Sequence, residues 1–111
     1  MLNDIKRGEI YYIDLSPTQG SEQGGLRPCV IVQNDKGNEH APTTIVVPLT
    51  TQSKRKLPTH VSVREGKKLS LALCEQIRTI DKSRIEGRPV GKCLPHTMEQ
   101  IDFALKISLE L

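Results

Sequence analysis

The sequence predicts a small, curled, mostly β domain with one helix at its C-terminal end. Short stretches rich in β-branched and aromatic residues recur along the chain, turn residues separate them, and a helical repeat of apolar residues is confined to the end. Five or six short strands followed by one helix leave few other arrangements. A chain of 111 residues is expected to form one domain, spanning 1–111, with a modest core. Dimerisation is a natural way for such a chain to cover leftover apolar surface.

Each element has its own signature. Glu9 to Leu15 (EIYYIDL) predicts the first strand. A loop from Ser16 to Arg27 follows, holding Pro17, Gly20, Gly24 and Gly25. It is long for a small domain, and long loops are usually functional or disordered. Pro28 then opens the apolar run Cys29-Val30-Ile31-Val32, the pattern of a strand buried on both faces. Asn34 to Pro42 is turn chemistry. Thr44 to Leu49 predicts a third strand, and Pro48, which lacks a ladder donor, places it at an edge or ends it at a bulge. Thr51 to Leu57 is a basic loop with Lys54, Arg55 and Lys56, and Thr59 to Val63 alternates like a half-buried strand. Glu65-Gly66-Lys67-Lys68 turns the chain into Leu69 to Ile77, predicted as one apolar strand. Asp81 to Ile85 predicts a short helical turn and Pro89 to Cys93 a last strand. In the C-terminal helix Met98, Ile101, Ala104, Leu105 and Ser108 or Leu109 repeat at helical spacing. Its start is open by a turn: Thr97 with Gln100 would form a capping box, whereas Pro95 would mark the first turn.

Bulk properties narrow the function. No apolar run approaches the roughly 18 residues of a membrane span. Met1 to Arg7 lacks the apolar stretch of a secretory signal, so the expected location is the cytoplasm, away from membranes. A net charge of +3 permits a polyanionic partner without requiring one. Cys29, Cys74 and Cys93 are odd in number and lack a C-x-x-C, which fits free thiols in a reducing compartment and excludes a zinc ribbon. Cys29 and Cys74 lie in apolar runs, where cysteine behaves as a small buried hydrophobe. His40, His60 and His96 lack partners at metal-ligand spacing, and no acidic cluster resembles a two-metal nuclease. Neither a Walker loop nor a nucleophile elbow is present, so no metal and no cofactor is expected.

The best chemical material is the loop Ser21-Glu22-Gln23-Gly24-Gly25-Leu26-Arg27-Pro28. Paired glycines let backbone N–H groups approach a phosphate, and they also simply make turns. Arg27 is better defined. Pro28 restricts it to extended backbone angles, which fixes where its guanidinium points.

Several segments together carry a resemblance: Lys6-Arg7-Gly8-Glu9-Ile10-Tyr11, Asp14-Leu15-Ser16-Pro17, Gly20-Ser21-Glu22-Gln23-Gly24-Gly25, Arg27-Pro28 and Val32-Gln33-Asn34-Asp35. Thr50 after the third strand, Leu57-Pro58-Thr59-His60-Val61 and Glu75-Gln76-Ile77-Arg78-Thr79-Ile80-Asp81-Lys82 complete it. From about residue 6 to the end of the helix the chain resembles the MazF/PemK/Kid toxins of type II toxin–antitoxin systems. The resemblance implies an SH3-like barrel of the CcdB/MazF toxin type with a C-terminal helix. It also implies a homodimer that cleaves single-stranded mRNA at short sequences and is restrained by a cognate antitoxin. The family's catalytic arginine and threonine fall on Arg27 and Thr50. Ser21, Glu22, Gln23, Asn34, Gln52, Glu75 and Gln76 match positions that line the RNA groove in relatives. Two departures stand out: the connection from Val63 to Leu71 is shorter than in close relatives, and Pro95 stands where a polar N-cap is usual.

These residue types suit RNA cleavage. RNA carries its own nucleophile, the 2′-hydroxyl, whose attack on the adjacent phosphorus leaves a 2′,3′-cyclic phosphate and a 5′-hydroxyl. Arg27 offers a planar fork of donors that matches phosphate oxygens, and Thr50 adds a hydroxyl. With a pKa above about 12 an arginine is a poor base, so it would chiefly hold the charged phosphorus centre and could protonate the leaving oxygen. The base is open: Glu22 is the candidate, against a plain loop carboxylate, and His60 is either an acid–base residue or a half-buried structural one. Lys54-Arg55-Lys56 with Lys6 and Arg7 would track the RNA backbone or form a solvated basic surface. With only Tyr11, Tyr12 and Phe103 as aromatics, base stacking cannot dominate. Specificity would then come from hydrogen bonds to unpaired bases. Glu75 and Gln76 are natural readers, or else an exposed strand end, and Arg78 would anchor Asp81 or Glu75.

Two rivals remain. A gyrase poison related to CcdB depends on a tryptophan near its C-terminus; this chain has none and ends Ser108-Leu109-Glu110-Leu111. A non-catalytic RNA-binding SH3-like module would have no use for both Arg27 and Thr50. An antitoxin could lay an acidic, disordered tail across the basic groove.

Overall fold

Strand β1 (Glu9–Asp14) runs antiparallel to β2 (Leu26–Ile31), which pairs in turn with β3 (Thr43–Thr50). The computed structural model describes residues 4–52 and 56–111. Helix α1 (Asp35–His40) joins β2 to β3, and β4 (His60–Glu65) with β5 (Lys68–Leu73) forms a hairpin. A 3-10 turn, Cys74–Gln76, leads into β6 (Arg78–Asp81), and a second, Lys82–Arg84, into β7 (Ile85–Lys92). Helix α2 (Pro95–Leu109) closes the chain.

The strands lie in the order β4-β5-β3-β2-β1-β7, with β6 added to β3. The two ends of this sheet curl together: a side-chain carbon on Gly91 of β7 would stand 3.6 Å from Glu65 of β4. The result is a curled antiparallel sheet with a C-terminal helix, the SH3-like architecture expected. Strand side chains alternate between faces, and the core divides accordingly. Ile10, Val30, Val47 and Leu49 pack with Val61, Val63, Ala72, Met98, Ile101 and Ala104 on the α2 side. Tyr11, Ile13, Cys29, Ile31 and Val46 pack with Leu15 and Ile80 on the other. The run Cys29–Val32 is therefore buried on both faces, as its unbroken apolarity predicts.

Three local expectations need correction, and the open choice of start for the C-terminal helix is decided. Asn34 to Pro42 is not a plain turn: Asn34 caps α1 by accepting the Gly37 N–H (2.8 Å), and Asn38 is fully buried. Turn residues also make good helix caps, and the burial that selects the helix comes from distant residues. Pro48 lies on neither an edge strand nor a bulge. Strand β3 is central, and Pro48 sits where its outer partner changes, after pairing with β6 ends at Val46 and before pairing with β5 begins at Leu49. A missing N–H costs little at that gap. The apolar run Leu69 to Ile77 is not one strand, because the chain crosses at Cys74–Gln76 from one half of β3 to the other; buried Cys74 and half-buried Ile77 keep the run apolar across the break. The Thr97 capping box does not form: Pro95 stands in the first turn and Leu94 is the N-cap, without a side-chain bond.

Arg7, which the sequence left either tracking the RNA backbone or on a solvated basic surface, is tied into the fold. Its Nε donates to the Val32 carbonyl (2.9 Å), its Nη2 pairs with Asp102 of α2, and its backbone N–H donates to Asp35 (2.7 Å). Lys54 and Arg55 lie outside the described residues, as do Met1, Leu2 and Asn3. Among the described residues no helix is long and apolar enough to cross a membrane.

Candidate active site

The long connection between β1 and β2 is a tied structure. Arg84 donates to the carbonyls of Asp14 (3.0 Å) and Ser16 (2.6 Å), and Arg78 to that of Leu15 (3.1 Å). Further on, Glu22 accepts the Gln19 N–H (2.8 Å), and Ser16 Oγ accepts the Gly25 N–H (2.8 Å). The paired glycines serve this path. A side chain on Gly24 would collide with Thr18, and Gly25 has φ of +77°, a conformation glycine adopts without strain.

Arg27 stands on β2 opposite Ile13, half-buried at the loop's end. Its Nε donates to the Gly24 carbonyl (2.8 Å), and Nη1 reaches the Leu49 carbonyl (3.5 Å). Leu49 immediately precedes Thr50, so the guanidinium is fixed to both the loop and the end of β3. Nη2 makes none of these bonds and keeps both its hydrogens. Thr50 is buried, and its Oγ1 accepts the Gln52 N–H (3.1 Å), which leaves the hydroxyl hydrogen free to donate.

Beside this pair lies a cleft of about 500 Å³ lined by Ser21, Glu22, Gln23, Glu75 and Gln76, with Pro48 and Arg78 among the remaining walls. A smaller hollow of about 220 Å³ is lined by Thr50, Gln52, Ser62 and Ser70. Asn34 stands apart from both, its side chain engaged in capping α1. Five of the nine residues singled out from the sequence thus share one cleft and two share the neighbouring hollow. Arg27 lines neither and is bonded to Gly24 and Leu49, the chain neighbours of Gln23 in the cleft and Thr50 in the hollow.

A family model described as the PemK-like, MazF-like toxin of type II toxin–antitoxin systems matches residues 6–109. The chain belongs to that toxin family. A mycobacterial endoribonuclease solved in complex with its cognate antitoxin is 30% identical to it, with a TM-score of 0.81 and 96% of each chain covered. A second structure, an endoribonuclease from a mycobacterial species, is also 30% identical over 98% of this chain and 94% of that one, with the same TM-score of 0.81. MazF from Deinococcus radiodurans shares the fold at 21% identity, with a TM-score of 0.85 over 96% of this chain and 97% of that one.

Against this family background, the electrostatics of the cleft single out a residue that the sequence reading gave another task. Arg78 does not anchor Asp81 or Glu75. Asp81 accepts the Ser83 N–H (2.9 Å), and Glu75 accepts from Thr59 (2.8 Å) and pairs with His60 (2.9 Å). Burial pushes the Cys29 thiol up to about 12, and the guanidinium groups of Arg27 and Arg78 both pull it the other way. Two cations therefore lie near one buried thiol at this end of the sheet. The signal available in sequence was only Arg78's place in the Glu75–Lys82 segment. Partial burial alone would raise the Glu75 carboxyl, but hydrogen bonds from His60, Thr59 and a backbone N–H outweigh it and hold the group below its ordinary value. Cys29, Cys74 and Cys93 are all buried and free, with thiols raised to about 12, 12 and 11 chiefly by burial, so none is an activated nucleophile.

Proposed function

We propose that this chain is an endoribonuclease toxin that cleaves single-stranded mRNA without a metal ion, through attack of the ribose 2′-hydroxyl on the adjacent phosphorus. The observation that carries the reading is Arg27, whose guanidinium is held on the carbonyls of Gly24 and Leu49, the chain neighbours of the cleft residue Gln23 and of Thr50. In the proposed reaction the 2′-oxygen forms a bond to phosphorus and gives its proton to a base. The P–O5′ bond breaks, and the leaving oxygen takes a proton. Arg27 and Thr50 are the catalytic residues: both donate to the phosphate oxygens as negative charge builds there. One fixed donor of this kind is worth on the order of 3 kcal/mol, or a hundredfold and more in rate.

Glu22 is the candidate base, since one of its oxygens is held by Gln19 and the other remains available. Ser21, Gln23, Gln52 and Glu75 border the path of the RNA, and their polar edges suit unpaired bases. A cognate antitoxin restrains the enzyme in the cytoplasm, as family membership supports, and the active form is a homodimer.

Digestion of a long RNA in the presence of EDTA, with fragment ends mapped, tests the proposal. The expected products carry 2′,3′-cyclic phosphates and 5′-hydroxyls, and Arg27→Ala slows their formation at least a hundredfold. Equal cutting of all-DNA oligonucleotides, or loss of activity on removing divalent ions, would falsify it. Undiminished cleavage by Glu22→Gln would remove that carboxylate from the mechanism while leaving the roles of Arg27 and Thr50 standing.

A further inference from the structure

The carboxamide of Gln76 is oriented unlike a free recognition group. Its Oε1 accepts the backbone N–H of Gln23 (2.8 Å), and its Nε2 donates to the carbonyl of Ser21 (3.4 Å). One side chain thus meets a donor and an acceptor of the loop backbone together, as a neighbouring strand would. Gln23, directly before Gly24, is buried under this contact. Gly24 in turn supplies the carbonyl that holds Arg27 Nε at 2.8 Å. A continuous path runs from Gln76 through Gln23 and Gly24 to the Arg27 guanidinium.

We infer that Gln76 is a positioning residue for Arg27: its amide splints the Ser21–Gln23 backbone and thereby sets the height of the Gly24 carbonyl on which the guanidinium rests. The inference rests on the proposed reading of Arg27 as the group that holds the phosphate. It differs from a base-reading role for Gln76, because the loop already takes one of the carbonyl's two acceptor positions and one of the two N–H hydrogens, and so fixes the amide plane on the loop rather than on a base. Neighbouring Glu75 is fastened to Thr59 and His60 on β4 and its approach, so the whole Cys74–Gln76 turn has a fixed base from which to brace the loop. A displacement of about 1 Å at a group far from the reacting atoms can cost a hundredfold in rate, which sets the scale of what this brace controls.

Amide exchange without RNA tests the splint directly. In the unmodified chain the Gln23 N–H and the Arg27 Nε–H should be protected. In Gln76→Ala both should exchange about tenfold faster, while core strand amides stay unchanged. An unprotected Gln23 N–H, or exchange that does not respond to Gln76→Ala, overturns the inference, whatever the protein does to RNA. Kinetics then separate positioning from base reading. Gln76→Ala should lower kcat by about 10- to 100-fold with KM and the cleaved sequence unchanged, and Arg27→Ala/Gln76→Ala should be no slower than Arg27→Ala alone. Gln76→Glu keeps the shape but lacks the donor at neutral pH. It should be slow there and recover relative to the unmodified chain as its carboxyl is protonated on acidification. A changed cleavage sequence at an undiminished rate would make Gln76 a reader of bases and end the positioning role. If the unmodified chain leaves RNA intact, the RNase reading fails, and the exchange arm alone still decides the splint.

Discussion

His60 shows how a tertiary partner settles what an isolated side chain is. Its Nδ1 accepts the Leu57 N–H (3.4 Å) and its Nε2 faces Glu75 (2.9 Å), so a neutral ring protonated at Nε2 satisfies both neighbours. The side chain is 4% exposed, against the half-burial that strand alternation predicts, because Glu75 arrives from a turn fifteen residues on. Glu75 therefore has a folded-state value below its ordinary 4.5. The ionised form is favoured by folding, so its contribution is full above the unfolded value and is lost as pH falls through the folded one. Urea midpoints taken from neutral pH to pH 3 should fall on the acid side for the unmodified chain. In Glu75→Gln the midpoint should be lower at neutrality and the acid limb flatter, though not flat, because the carboxyls of Asp35 and Asp81 are also held low. An acid limb of unchanged slope would mean that the bonds from His60 and Thr59 contribute nothing. Much the same division holds across the site. Arg27 could be picked out locally, since Pro28 and the paired glycines mark its surroundings. The bond from Gln76 to Gln23 spans 53 residues, and no local pattern announces it.

Helix α1 is the element that sequence reasoning missed most completely, and its support explains why. Asn38 is fully buried, and its Oδ1 accepts from Thr44 Oγ1 (2.7 Å) and Gln33 Nε2 (3.1 Å). Its Nδ2 donates to the Gln33 carbonyl (3.0 Å), and its own carbonyl accepts from the buried Lys82 ammonium. Asn, Asp and Gly over this stretch suit a turn or a capped helix equally, so only the polar network with β3 and the Lys82–Arg84 turn selects the helix. Strands β1 to β3 needed no such help, because alternating burial on two faces leaves its mark directly in apolar spacing. Asn38→Ala should strand the Thr44 hydroxyl without a partner and leave Gln33 Nε2 with only the Thr43 carbonyl (3.0 Å). The expected loss is about 2–3 kcal/mol by urea denaturation. RNA cleavage per folded molecule should be unchanged, since α1 borders neither the cleft nor the hollow beside Thr50. A loss below about 0.5 kcal/mol would show that water replaces the network at no cost.

The curled sheet uses one face of α2 for its core and leaves the other to solvent. Met98, Ile101 and Ala104 are buried, while Phe103 is 68% exposed and Leu111 86% exposed, with Ile107 between them at the same four-residue spacing. Residues four apart share a helical face, so Phe103 and Ile107 form one apolar stripe on α2, and Leu111 lies past the left-handed Glu110 that ends the helix. Phe103 also borders a groove of about 510 Å³ whose lining includes Pro58 and, from β4, Val61 and Ser62. A modest core beside an uncovered stripe is the condition that a second copy relieves, and a two-fold contact places the same stripe on both sides of the seam. A net charge of +3 per chain opposes such pairing only weakly. At micromolar concentration the protein should therefore sediment at about twice its chain mass of 12.4 kDa. Phe103→Glu should sediment at the mass of one chain, keep its circular dichroism and lose RNA cleavage if the paired form is the active one. A Phe103→Glu protein that stays dimeric would move the seam elsewhere, to another surface such as the exposed edge strand β7.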